Sequence, residues 1–209
     1  TETIASVPYI IKNGVDWYKN LGDGDAHGVK MFCMSGHLNK PKVIEAPLGT
    51  PFSKLLDECN GILNDKKLKA VIPGGSSVPV VKGEVIMDTP MDYEPLMKIG
   101  TMLGSGGVIV MDETTCMVSV LERISRFYYA ESCGQCTPCR EGAQWMFKLL
   151  SRIEAGEADS NDLDMLLELA GSMGIMPGTT ICGLADGHNW AVRTVVNKFR
   201  GEFEARVRP

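Results

Sequence analysis

Glu131–Gly142 reads ESCGQCTPCREG, and the rest of the chain is best read outward from it. Three of the seven cysteines, Cys133, Cys136 and Cys139, stand there at steps of three. Gly134 and Pro138 favour a tight loop that can bring the three thiols together. Glu131 and Ser132 before the triplet, and Arg140 and Glu141 after it, make a polar setting. Cysteines that act as small buried hydrophobes sit in apolar ones. Cys182 supplies a fourth thiol from a distant segment. Four thiolates from two loops suit either tetrahedral zinc or a cubane iron–sulfur cluster. Structural zinc sites usually show two ligand pairs, whereas a triplet with one remote cysteine is the pattern of a cubane held at three corners by one loop. A cluster would be anionic and would sit near the start of a helix that opens about Arg140, where free N–H groups and the helix dipole favour negative charge. Arg140 itself either balances charge or is a solvated surface residue.

On both sides of this loop, from Thr115 onward, the apolar spacing is helical. Val118, Leu121, Ser125 and Tyr128 share one face. Trp145, Leu149 and Ile153 form the next stripe. Asp159–Asn161 offers cap residues before Leu163, Leu166, Leu167 and Ala170. Val192, Val195, Val196, Phe199 and Phe203 line a fourth helix. Four helices with short joints read as a bundle over 114–209, with the triplet between the first and second and Cys182 before the fourth.

The preceding segment has a different rhythm. Val29–Ser35 and Lys42–Ala46 read as strands joined at Asn39-Lys40-Pro41, a hairpin. Pro51–Cys59 reads as a helix with Phe52, Leu55 and Leu56 on one face. Leu68–Ile72, Val78–Val81 and Gly107–Met111 read as further strands. The fold class is therefore α+β, with a small sheet unit over 26–113. Residues Val7–Leu21 read as an amphipathic helix ended by Gly22, and Leu21–Gly28 as a turn-rich linker.

Composition excludes several functions. The chain has 209 residues, 44% hydrophobic and 22% charged, with a net charge of −5. That balance is globular rather than disordered, and it repels phosphate backbones, which argues against nucleic acid as a partner. The uncharged stretch Leu169–Ala185 is too short and too rich in glycine to span a bilayer, and no secretory signal is visible. An odd number of cysteines without such a signal favours a reducing compartment. Cys33, Cys59 and Cys116 lie in apolar segments and are expected in the core. His27, His37 and His188 are scattered and are expected at surfaces or turns. Tyr128-Tyr129 is expected to pack between helices. Ile72–Val78 lacks the Lys-Ser/Thr ending of a phosphate loop, and Gly104–Gly107 precedes a strand instead of following one, so both read as turns. No paired carboxylates or Ser-His-Asp set points to hydrolysis, and no catalytic residue is assigned.

Glu131–Gly142 resembles, residue for residue, the cluster loop of the NADH-binding flavoprotein subunit of respiratory complex I. Thr180-Ile-Cys182, Phe199–Phe203, Glu2–Pro8, Ser35-Gly-His37 and Ile72–Ser77 resemble the same family, so the likeness runs along the whole chain. One departure is a longer interval around Gly171–Thr179. The resemblance implies a β-grasp, ubiquitin-like domain of the soluble-ligand-binding kind at 26–113. It implies a helical bundle at 114–209 carrying a [4Fe–4S] cluster on Cys133, Cys136, Cys139 and Cys182. Residues 1–25 would be the helical end of a preceding domain that holds FMN and NADH. Glu2 and Thr3 would close its flavin-proximal segment, and Gly183-Leu184 would approach the flavin. In that family NADH reduces FMN, the cluster accepts electrons singly, and further clusters receive them. The implied partners are a small thioredoxin-like iron–sulfur subunit and a large multi-cluster subunit. The implied location is the cytoplasmic face of a bacterial inner membrane or the mitochondrial matrix side. These residues alone would not oxidise NADH. The same module of an NAD-linked hydrogenase or formate dehydrogenase, and a zinc-stabilised interaction module without enzymatic activity, are the alternatives.

Overall fold

The computed structural model describes residues 1–22 and 26–208, and the linker expected at Leu21–Gly28 falls partly outside them. The chain forms a mixed α/β structure with two compact units, Thr1–Gly75 with Val81–Glu113 and Ser76–Val80 with Thr114–Pro209.

The first unit opens with α1 (Glu2–Asn13) and α2 (Val15–Lys19). The apolar spacing predicts a single helix with an inward face there. Gly14 instead adopts φ +88°, a conformation that side-chain-bearing residues rarely reach, and the helix breaks. Neither helix buries a residue, and Ile11 is 80% exposed.

Among the described residues, five strands follow: β1 (Val29–Gly36), β2 (Lys42–Pro47), β3 (Leu68–Ile72), β4 (Val81–Lys82) and β5 (Gly107–Asp112). They form one sheet in the order β2-β1-β5-β3-β4. β1 pairs antiparallel with β2 and parallel with β5, while β3 pairs antiparallel with both β5 and β4. The hairpin expected at Asn39–Pro41 is present, with Met34 opposite Lys42. Side chains alternate across a strand, so Phe32 and Met34 are buried while Met31 and Cys33 face outward. This corrects the expectation for Cys33, whose neighbours are apolar but whose parity is wrong for the core. Cys59 is fully buried and Cys116 half-buried.

Helix α3 (Phe52–Glu58) packs Phe52, Leu55 and Leu56 into this core. Each such side chain contributes about 1.5–3 kcal/mol of transfer free energy. Two short helices, α4 (Gly83–Ile86) and α5 (Tyr93–Lys98), carry Ile86 and Leu96 inward. Neither is long enough to show a periodic stripe in the sequence.

The strand expected over Val78–Val81 is present only from Val81. Pro79 has no N–H to donate to a ladder. Ser76–Val80 belongs instead to the second unit, where the N–H of Val80 donates to Thr194 Oγ1 (3.2 Å) and Lys198 Nζ donates to its carbonyl (2.5 Å).

That unit contains α6 (Met117–Glu131), α7 (Thr137–Ala155), α8 (Ser160–Ser172), α9 (Leu184–Lys198) and α10 (Arg200–Glu204). Helix α6 packs against α7 and α9, and α8 packs against the same two. The buried stripe of α7 is Ala143, Met146, Leu150 and Ile153, with Leu149 at its edge. Trp145, expected in it, is 52% exposed. Steps of four overshoot the 3.6-residue turn by about 40° each, so two steps from Ile153 carry position 145 off the face. Asp159 caps α8 by accepting the N–H groups of Asn161 and Asp162 (2.8 and 3.2 Å), and the Asp162 carboxylate accepts the N–H of Asp159 in return. The expected fourth helix bends at Phe199 into α9 and α10, and Phe203 still reaches the core.

His188, expected at a surface or turn, is fully buried on α9. Its ring stacks on Tyr128 (5.0 Å between centroids), and Nε2 lies 2.7 Å from Ser125 Oγ. Gly187 leaves room for this layer, since a Cβ there would stand 2.8 Å from Ser77 Cβ and 2.9 Å from the Tyr128 hydroxyl. Burial lowers the His188 pKa to about 3, so the native ring is neutral. An unfolded chain takes up that proton near pH 6.5. His188 therefore favours folding above that pH, and the benefit is lost as pH falls from about 6.5 toward 3, by up to ~1.4 kcal/mol per pH unit. Denaturant titrations at pH 6.5, 5.5 and 4.5 should show a shallower loss of stability in His188→Gln than in the unmutated protein.

Candidate metal centre

Helix α7 begins at Thr137, three residues before the expected start near Arg140. Pro138 suits that first turn because its missing N–H would have no helical partner. Cys136 is therefore the N-cap, Cys139 lies inside the first turn, and Cys133 precedes the helix. Much later in the chain, Gly183 is the N-cap of α9 and Cys182 precedes it directly. Three of these cysteines thus lie at or just before the start of α7, and the fourth just before the start of α9. No N-cap side chain closes back on either helix. The free N–H groups and positive dipole ends there favour an anionic group.

The structure joins the two loops at a sulfur. The N–H of Ile181 donates to Cys136 Sγ at 3.4 Å. Ser132 Oγ lies 3.5 Å from Cys139 Sγ. Cys139 is the buried thiol of the four, at 8% exposure, while Cys136 is half-buried and Cys133 and Cys182 are exposed. Among the described residues, no three His, Cys, Asp or Glu side chains are grouped around a single-ion position.

Arg140 points to the loop as well as to solvent. Its Nη1 donates to the Gly134 carbonyl (2.8 Å) and its Nε to Glu141 (2.9 Å). Gly134 takes φ +77°, which the loop needs in order to turn back toward α7. The segment before Cys182 is pinned from below. Asp186, buried in the first turn of α9, accepts the N–H groups of Ile175 (2.9 Å) and Met176 (3.5 Å). The Asn189 side-chain amide donates to the Met173 carbonyl. Asp186 carries no signal in the sequence, where an acidic residue near a helix start reads as an ordinary first-turn charge. In the first unit, Glu2 accepts the N–H of Met31 (2.7 Å) and pairs with Lys30 (3.1 Å), and these hold its carboxyl below the usual range.

Residues 119–206, which include all four cysteines and both helix starts, match the family model described as the NADH-ubiquinone oxidoreductase-F iron-sulfur binding region. Residues 31–81 match the SLBB domain model. The F subunit of NADH-quinone oxidoreductase from Rickettsia bellii (strain OSU 85-389) is 40% identical over 208 residues. The second F subunit of NADH-quinone oxidoreductase from Rhizobium meliloti (strain 1021) is 45% identical over 208 residues. Along nearly its whole length the chain is similar to F subunits of NADH-quinone oxidoreductase. Each alignment takes in 99% of the chain, with 49% of the Rickettsia protein and 48% of the Rhizobium protein. The chain thus spans about half the length of these relatives. A crystal structure of NAD+-reducing [NiFe]-hydrogenase in the air-oxidized state shares the fold, with a TM-score of 0.87 and 30% identity, covering 100% of this chain and 35% of that one. Among the described residues, no helix is long and apolar enough to cross a membrane.

Replacing Asp186 by alanine takes the acceptor away from two backbone donors on exposed residues, at a cost of about 0.5–1.5 kcal/mol for each hydrogen bond lost. Asp186→Ala should lower the stability of the helical unit and speed amide exchange at Ile175 and Met176. Unchanged exchange there would show that the carboxylate does not hold the loop.

Proposed function

We propose that the chain is an electron-transfer module of an NADH-quinone oxidoreductase, with a [4Fe–4S] cluster on Cys133, Cys136, Cys139 and Cys182. The observation that carries this reading is the contact of Ile181 N–H with Cys136 Sγ. It ties the remote cysteine's loop to the triplet's loop, within the matched iron-sulfur binding region. The donor set fits, because thiolates are the usual ligands of such clusters and both loops end at helix N-termini.

A bound cluster supplies single-electron acceptance and release, which suits it to follow a two-electron donor such as a reduced flavin. The chain's part is placement and tuning. The starts of α7 and α9 present N–H groups toward negative charge. The N–H of Ile181 stabilises the Cys136 thiolate. Buried Cys139 would hold the group away from water, while Cys133 and Cys182 would hold it from exposed positions.

The rest of the assignment follows the same reading. Residues 26–113, apart from Ser76–Val80, form a β-grasp domain, supported by parallel β1 and β5 within a sheet whose other pairs are antiparallel. Residues 114–209 form a four-helix bundle that carries the cluster. Residues 1–25 close a domain holding FMN and NADH. The partners are a thioredoxin-like iron–sulfur subunit and a large multi-cluster subunit, at the cytoplasmic face of a bacterial membrane or on the matrix side of a mitochondrion. The likeness to an NAD+-reducing hydrogenase supports a second reading, the same module in an NAD-linked hydrogenase. Hydrogen-dependent reduction of NAD+ by the native complex would favour that second reading, and NADH-dependent reduction of a quinone the first.

Anaerobically purified protein should be brown. It should hold roughly four iron and four acid-labile sulfide per chain and give a paramagnetic signal after reduction. Serine at Cys133, Cys136, Cys139 or Cys182 should lower both contents, whereas serine at Cys33 should not. A colourless protein with one zinc and no sulfide would overturn the cluster.

A further inference from the structure

The loop at the triplet contains a hydroxyl that cluster ligation itself does not require. Ser132 ends α6 and is half-buried. Its Oγ stands 3.5 Å from the sulfur of Cys139, the buried member of the set. The N–H of Gly134 donates to the same Oγ at 3.4 Å. The Gly134 carbonyl is held in turn by Arg140 Nη1 at 2.8 Å. Gly134 is thus pinned at its N–H and at its carbonyl, and it fixes the serine oxygen through the former.

With a cluster bound, the chemistry of the pair decides which atom donates. A thiolate bound to iron has no proton, so only the hydroxyl can supply one to the pair. One lone pair of the Ser132 oxygen is already engaged by Gly134, which leaves the O–H free to turn toward the sulfur.

We propose that Ser132 is a positioning residue whose hydroxyl donates a hydrogen bond to the Cys139 sulfur and thereby raises the cluster's affinity for an electron. The inference rests on the cluster reading above. When the reduced flavin of that reading passes on one electron, the added negative charge is shared with the thiolate sulfurs. A fixed donor stabilises that charge more in the reduced state than in the oxidised one. The difference is larger in a buried, poorly screened corner than at the exposed sulfurs of Cys133 and Cys182. No covalent bond forms or breaks, and the proton stays on Ser132.

The experiment uses the full chain, purified anaerobically, with a redox titration followed by electron paramagnetic resonance. Iron and sulfide in the unmutated protein come first, and their absence rejects the cluster reading before any variant is made. Ser132→Thr keeps a hydroxyl, while Ser132→Val has nearly the same shape as that variant without one, and Ser132→Ala removes the bulk as well. Ser132→Val and Ser132→Ala should retain iron and sulfide yet favour reduction about tenfold less, which is a midpoint lower by about 59 mV for one electron. Ser132→Thr should keep the original midpoint. A filled cluster with an unchanged midpoint in both hydroxyl-free variants would overturn the proposal. So would loss of iron in both while Ser132→Thr retains it, because the hydroxyl would then serve assembly rather than potential.

Discussion

Asp186 sits buried in the first turn of α9, where its carboxylate gathers the N–H groups of Ile175 and Met176. A buried carboxylate is tolerated only when its oxygens are satisfied, and here a loop supplies the donors. That requirement folds the segment after α8 back onto the start of α9. The next residues along the chain are Thr180, Ile181 and Cys182, so the direction in which Cys182 arrives depends on this contact. Ile181 then delivers its N–H to the sulfur of Cys136, and the two cysteine loops meet.

Electrostatics and packing act together at this end of the unit. Helices α7 and α9 both start where the cysteines stand, and the matching region for iron–sulfur binding spans both starts. The same unit buries a polar layer of Ser125, Tyr128 and His188 within a largely apolar interior. The layer exists because Gly187 has no side chain and lets Ser77 and the Tyr128 hydroxyl approach α9. Ser76–Val80 completes the packing by offering the Val80 peptide to Thr194 and Lys198. A segment that interrupts the strands of one unit thus becomes part of the other.

Much of this is legible from spacing. The faces of α6 and α8, the hairpin of β1 and β2 and the burial of α3 follow from periods of 3.6 and 2. Spacing misleads where one local signal competes with another. Val7–Leu21 carries a helical stripe, but Gly14 breaks the helix and the stripe stays exposed. Val78 and Val80 alternate like a strand, but Pro79 denies the ladder a donor. Cys33 has apolar neighbours, but its parity faces it outward. His188 gives no cue to burial, because its partners come from a helix about sixty positions away and its space from a glycine beside it.

By itself, the sequence determined which donors are on offer. Three cysteines at steps of three, with a fourth beyond, present sulfur donors on two loops, because residue type and local loop geometry are encoded within a few residues. Tertiary structure alone decided the environment of each sulfur. It placed Cys139 in the dry first turn of α7 beside Ser132, and left Cys133 and Cys182 at the surface. It also turned Asp186 from a first-turn charge into the anchor of a loop. Exposure and hydrogen-bond partners depend on residues far apart in the chain, and no local pattern records which of them will meet.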